Sequence, residues 1–206
     1  MLIVGAGGHA REVYDVMHEK HNVNVFEEFE TTACFKWGEK IHFIRSYNEV
    51  EILFKDSPDF ILGVGNPALR ERLFERLIAI NGIPQSIISE TSWISKSNVH
   101  LGNGLNVMAF VFISNNVKIG DGTLLNAGCK IHHDCTIGKF CEISPNVVVT
   151  GNCMIGDNCS IGASATILPN LTIGNNVTIG AGSVVTKNIK DNQIVMGVPA
   201  RSKKAN

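Results

Sequence analysis

His133 and Asp134 put an imidazole beside a carboxylate. A neutral imidazole accepts protons near pH 7, and an adjacent carboxylate fixes its tautomer and raises its basicity. The pair suits general-base chemistry, with other donors needed for a developing oxyanion. Sequence neighbours on an extended strand point apart, so these two require a corner or a relay. A second suggestive run is Gly5-Ala6-Gly7-Gly8-His9-Ala10. Gly5, Gly7 and Ala10 have the spacing of the dinucleotide fingerprint with Ala as third small residue, and the acids Glu27-Glu28 follow about twenty residues later. Three readings stand for this loop: a dehydrogenase, a cradle for a nucleotide diphosphate at a helix N-terminus, or a tight glycine turn packed under a helix.

The element that must position His133 is a six-residue repeat. Stepping by six from Leu101 to Val185 gives fifteen residues, every one Leu, Ile or Val, and Gly follows at 102, 120, 138, 156, 162, 174 and 180. Six is neither a helical period nor simple alternation. It suits a chain that turns a corner after each short strand, three hexapeptides closing a triangular coil with the aliphatic residue inward. Corners are expected at Gly102-Asn103-Gly104, Asp121-Gly122 and Gly174-Asn175-Asn176, where Gly and Asn tolerate left-handed angles. Residues 86–206 are thus expected to form a left-handed parallel β-helix, with 86–100 an irregular first coil. His133 lies two residues after inward Ile131, in an outward phase. Cys129, Cys135, Cys141, Cys153 and Cys159 all fall four residues after an aliphatic position. That slot takes small buried residues, so packing explains all five better than a metal or disulfide cluster. Cys34 has no place in this frame.

Residues 1–85 read as a small α/β unit with a Rossmann-like parallel sheet. Strands are expected at Leu2–Val4, Val23–Phe26 and Phe60–Val64, with a helix over Arg11–His18. A second helix of about fourteen residues is opened by Gly65-Asn66-Pro67, with Leu69, Leu73, Leu77 and Ile80 on one face. This unit has about half the length of a two-lobed dinucleotide fold, which weighs against the dehydrogenase. Among 206 residues, 18 Lys and Arg nearly cancel 19 Asp and Glu, leaving a net charge of −1 and no broad field for nucleic acid or an anionic membrane. The longest apolar run, Val107–Ile113, is far short of a membrane span, and the N-terminus lacks a signal-peptide pattern. A cytoplasmic protein without bound metal is the expectation.

Glycine loop and hexapeptides together resemble the sialic-acid and amino-sugar acetyltransferase family of left-handed β-helix enzymes. The resemblance rests on Gly5-Ala6-Gly7-Gly8-His9, Phe26-Glu27-Glu28, Gly65-Asn66, His133-Asp134-Cys135-Thr136-Ile137-Gly138 and Gly197-Val198-Pro199-Ala200-Arg201. The chain looks most like N-acetyltransferases of nucleotide-linked 4-amino sugars. The resemblance implies acetyl-CoA as co-substrate, His133 as base with Asp134 beside it, and direct transfer without a cysteine acyl-enzyme. It implies acetyl-CoA contacts at Glu142, Gly151, Ala163 and Ala181. Relatives often have His where this chain has Glu142. The nucleotide sugar would meet Gly7, Gly8, His9, Glu27, Glu28 and Gly65, with the acids standing where relatives often have Asp-Asp. A homotrimer with active sites at subunit interfaces is implied too. The expected reaction is acetylation of the 4-amino group of a nucleotide-linked 4-amino-4,6-dideoxy sugar for surface glycan assembly. Sugar O-acetylation and non-catalytic nucleotide-sugar binding are the alternatives, and the choice among UDP, dTDP and GDP stays open.

Overall fold

The structure, a computed structural model, describes residues 1–17, 23–28 and 41–202. Cys34 and His18 lie outside the described residues. The chain divides into two units, Met1–Ile87 and Ile88–Asn206.

In the first unit, β1 (Leu2–Val4), β2 (Asn24–Phe26), β3 (His42–Ile44), β4 (Asp59–Leu62) and β5 (Ile83–Pro84) form one parallel sheet in the order β3-β2-β1-β4-β5. Helices α1 (Gly8–Met17), α2 (Tyr47–Phe54) and α3 (Pro67–Ala79) connect them. The strand order turns back at β1, so the chain leaves the adjacent carboxyl ends of β1 and β4 in opposite directions. Such a switch point opens a crevice where ligands of parallel sheets bind. Helix α1 starts at Gly8 rather than Arg11, because the Gly7 carbonyl already accepts the Arg11 N–H at 3.4 Å. The Asn66 side chain caps α3 by accepting the Leu69 N–H at 3.0 Å, and Pro67 supplies a first-turn φ that suits a helix. Leu73 and Leu77 of α3 are buried, whereas Leu69 and Ile80 are only half-buried. Strand β3 and helix α2 were not foreseen. Ser46 caps α2 by accepting the Glu49 N–H at 3.3 Å.

The second unit is the expected left-handed parallel β-helix. Two-residue strands stack into three parallel faces. One face carries Phe112–Ile113, Lys130–Ile131, Val148–Val149, Thr166–Ile167 and Val184–Val185, successive strands pairing in register at an offset of eighteen residues. The aliphatic frame points inward and packs into one continuous core with the five cysteines. In the cysteine slot, the side chain at n donates to the carbonyl at n+15: Cys135 to Thr150 at 3.1 Å, Cys141 to Gly156 at 3.1 Å, Cys153 to Leu168 at 3.2 Å and Cys159 to Gly174 at 3.0 Å. Thr123 obeys the same rule, its hydroxyl donating to Gly138 at 2.8 Å.

Corner residues take left-handed φ values, including Gly104, Gly122 and Asn176 of the expected corners. The glycines after the aliphatic positions have a different cause. A Cβ on Gly120 would sit 2.6 Å from the Gly138 carbonyl carbon, and one on Gly138 2.6 Å from that of Gly156. Successive coils touch through this glycine column.

The first coil is more regular than the sequence frame suggests. Trp93 pairs with Phe112, an offset of 19, whereas His100 pairs with Lys118, an offset of 18. One extra residue between Ile94 and Asn98 shifts the frame while the strands keep their faces. At the other end, Ile194–Met196 pairs with Thr178–Ile179 and then with Arg201–Ser202 in antiparallel fashion, so Gly197–Ala200 is the turn that closes the coil.

Candidate active site

His133 and Asp134 meet at a coil corner. Asp134 has φ +60°, and this turn brings its Oδ2 to 2.7 Å from His133 Nδ1, the short contact that neighbours on a straight strand could not make. Both side chains are about half exposed, 59% for His133 and 48% for Asp134. The other carboxylate oxygen, Oδ1, accepts from Asn116 Nδ2 one coil away. The Asn116 amide and then the His133 contact hold the Asp134 carboxyl below its usual range, so it is an acceptor at neutral pH. Nδ1–H of His133 therefore donates to Asp134, and in the neutral imidazole this leaves the lone pair on Nε2. Among the described residues Nε2 has no hydrogen-bond partner. This is the tautomer a general base requires.

Gly151, one coil beyond, lies against the imidazole: a Cβ there would be 2.5 Å from Cε1 and 2.6 Å from Nε2 of His133. The structure thus brings together His133, Asp134 and Gly151. His132 takes another direction. Its ring lies 5.7 Å from that of Phe112, which stacks on Trp93 at 4.8 Å. Cys135 faces inward, 1% exposed, its thiol raised well above the usual range by its hydrogen bond with Cys153 and by burial. It is unsuited to nucleophilic attack.

The other residues expected to touch acetyl-CoA lie apart from the pair in sequence register. Glu142 is half-buried and accepts from Ser144 Oγ at 2.7 Å and Ser160 Oγ at 3.2 Å, so the coil itself engages its carboxylate. Ala163 and Ala181 occupy equivalent places on successive coils, and the Ala163 carbonyl accepts the Gly182 N–H at 2.8 Å.

In the first unit, Glu27 and Glu28 line a crevice of about 130 Å³ with Gly5, Phe26, Val64 and Arg72. Gly7, Gly8, His9 and Gly65 are not among its lining residues. Glu27 Oε2 accepts the Ala6 N–H at 3.0 Å, so a carboxylate already sits on the glycine loop. That contact disfavours a phosphate at the same N–H. Gly7 and Gly65 have no heavy atom within 4 Å of where a Cβ would stand, which leaves both backbones open to close approach. His9 is largely buried, its Nδ1 3.3 Å from Glu12 Oε2 and its Nε2 without a partner among the described residues. Burial, followed by the Arg70 guanidinium, lowers its pKa to about 4 and keeps it neutral. Arg70, fully buried, donates to the Val64 carbonyl at 2.6 Å and steadies the strand-to-helix connection that carries Gly65. Sequence reasoning missed Arg70, Asn116 and the contact of Gly151 with His133. For the last two, the only signal was a spacing of eighteen from Asp134 and His133.

Among the described residues no group of His, Cys, Asp and Glu could hold a metal ion, and no helix is long and apolar enough to cross a membrane.

Residues 1–77 match the PglD N-terminal domain family, and residues 116–151 and 152–187 match the bacterial transferase hexapeptide (six repeats) family. No curated protein matches the chain. Solved structures match over the whole length. A point mutant of GDP-perosamine N-acetyl transferase from Caulobacter crescentus, in complex with CoA and GDP-perosamine, is 25% identical with a TM-score of 0.89, covering 99% of this chain and 96% of that one. The acetyltransferase domain of PglB from Neisseria gonorrhoeae, in complex with acetyl coenzyme A, is 26% identical with a TM-score of 0.86, covering 98% of each chain. The chain therefore matches the PglD N-terminal domain family over residues 1–77 and the bacterial transferase hexapeptide family over residues 116–187, and its whole-length likeness is to nucleotide-sugar amino N-acetyltransferases.

Proposed function

We propose that this protein transfers the acetyl group of acetyl-CoA to the 4-amino group of a nucleotide-linked 4-amino-4,6-dideoxy sugar, a step of surface glycan assembly. The observation that carries this reading is the His133–Asp134 pair, a base held in its productive tautomer on a hexapeptide coil. The whole-length likeness to an enzyme bound to CoA and GDP-perosamine supports the chemistry.

In this reading the amine nitrogen attacks the thioester carbonyl carbon while Nε2 of His133 takes the amine proton. Asp134 stabilises the imidazolium that forms. The tetrahedral intermediate then collapses, the carbon–sulfur bond breaks, and the departing thiolate recovers the proton from the imidazolium. No acyl-enzyme is formed, in keeping with the inward, high-pKa thiol of Cys135. The first unit would hold the nucleotide through Gly7, Gly8, His9, Glu27, Glu28 and Gly65. Acetyl-CoA would run along the coil past Gly151, Ala163 and Ala181, with Glu142 at its side. A half-exposed base at an outward coil corner cannot by itself shield a thioester from water, so we place the reaction in a groove between subunits of a cyclic homotrimer.

The test is thiol release from acetyl-CoA with GDP-perosamine, and its UDP- and dTDP-linked counterparts, followed by the mass of the product. An added acetyl group on the amine is expected. Turnover of none of these amines, or an acetyl ester on a hydroxyl instead, refutes the reading. Light scattering at assay concentration should give about three times the chain mass of 22.4 kDa, and an active monomer would sink the shared groove.

A further inference from the structure

His133 and Asp134 are adjacent in sequence, but what holds them lies eighteen residues away on either side. On one side, Asn98 Nδ2 donates to Asn116 Oδ1, and Asn116 Nδ2 donates to Asp134 Oδ1. The first bond fixes which way the Asn116 amide faces, so an N–H must point at the carboxylate. With Oδ1 engaged, Oδ2 is the oxygen left to meet Nδ1–H of His133. On the other side is Gly151. A Cβ there would come within 2.5, 2.6 and 3.1 Å of Cε1, Nε2 and Nδ1 of His133, so the ring lies across the space a side chain would fill. The backbone of Gly151 is not left-handed, and its column equivalents Asn115 and Pro169 carry side chains. The coil does not demand glycine at this place; the imidazole does.

We propose that Asn116 and Gly151 are positioning residues for the base, Asn116 by orienting the Asp134 carboxylate and Gly151 by leaving the space in which the His133 ring lies. This rests on the reading of His133 as the base. It gives Gly151 a role distinct from a backbone contact to acetyl-CoA.

The experiment compares Asn116→Ala and Gly151→Ala with a matched control, Asn170→Ala. Asn170 has φ +63° against +55° for Asn116, and it accepts from Asn152 Nδ2 at 2.7 Å without touching His133 or Asp134. The control thus suffers the same corner strain and a similar lost bond. Two readouts are taken: kcat and KM for acetyl-CoA and GDP-perosamine, and the 15N resonances of the His133 imidazole in the unliganded protein, assigned with His133→Asn. Both positioning variants should lose about tenfold or more in kcat with KM within threefold. Their His133 resonances should move from an Nδ1–H pattern toward a tautomer mixture, while Asn170→Ala stays within about twofold of the parent in kcat. Unchanged kcat and resonances in either variant would overturn the proposal. So would an equal loss in Asn170→Ala, or a rise in KM for acetyl-CoA alone in Gly151→Ala. Should Gly151→Ala fail to fold, Asn116→Ala decides by the same readouts. If the parent acetylates no amine, the proposed function falls, and the imidazole spectra still decide the positioning.

Discussion

Asp134→Asn separates what the coil needs from what the chemistry needs. The corner column runs Asn98, Asn116, Asp134, Asn152, Asn170, all with left-handed φ. Asparagine is the residue this corner prefers, so the variant should fold, with a thermal melt close to the parent's. The hydrogen-bond chain decides the rest. Asn116 presents an N–H to position 134, so the new amide must turn its oxygen toward Asn116. Its NH2 then faces His133 Nδ1, which can meet it only as an acceptor. The imidazole proton moves to Nε2, and the atom that should take the amine proton already holds one. A positioned base contributes roughly 10²- to 10⁴-fold, and a pair this exposed recovers part of the loss through water, so kcat should fall about 30- to 100-fold. His133→Ala, which removes the base outright, should fall further. The assay is saturating thiol release beside a thermal melt. A variant within threefold of parental kcat with an unchanged melt would refute the tautomer argument. An unfolded variant would refute the account of the corner.

Other outcomes follow from the same structure. Cys135→Ala and Cys153→Ala should keep parental turnover and lose on the order of 1 kcal/mol by leaving a small void; an acetylated Cys135 trapped by mass spectrometry would contradict direct transfer. Gly120→Ala should destabilise the coil by about 3 kcal/mol, since its Cβ would stand 2.6 Å from the Gly138 carbonyl carbon, and an unchanged denaturation midpoint would show that the coils can part there. His9 has a pKa lowered from 6.5 to about 4, so between these values the unfolded chain binds a proton that the folded chain refuses. Stability should therefore fall as pH drops from 6.5 to 4, by up to about 3 kcal/mol, and His9→Gln should flatten that slope in denaturant titrations. A wild-type slope in the variant would assign the effect to other groups.

Most of the coil was legible because its environments repeat. Each aliphatic position sees the same interior, so one frame accounts for residues from Leu101 to Val185, and one small slot accounts for five cysteines. The frame failed before Leu101 because a single added residue after Ile94 changes the count without changing the faces. In the first unit, Ser46 with Glu49 three residues later carries the signature of a helix start, yet α2 is only two turns long and offered little periodicity. At the site, His133 and Asp134 were visible as neighbours. Asn116 was hidden because its bond is made across coils, and Gly151 because a glycine chosen for an absent side chain looks like any other corner. Glu27 was legible as an acid at a strand end, but its bond to the Ala6 N–H depends on the register of β1 against β2.

The column of inward thiols also makes the prism a recorder of its own opening. Cys129, Cys135, Cys141, Cys153 and Cys159 are each at most 1% exposed, so a thiol reagent reaches one only when the chain around it separates. In a stack whose units touch only their neighbours, such openings are local and fray from the ends. Alkylation rates resolved cysteine by cysteine would therefore chart how far each excursion travels along the axis. The same labelling, repeated with acetyl-CoA present, would show which coils the ligand clamps shut.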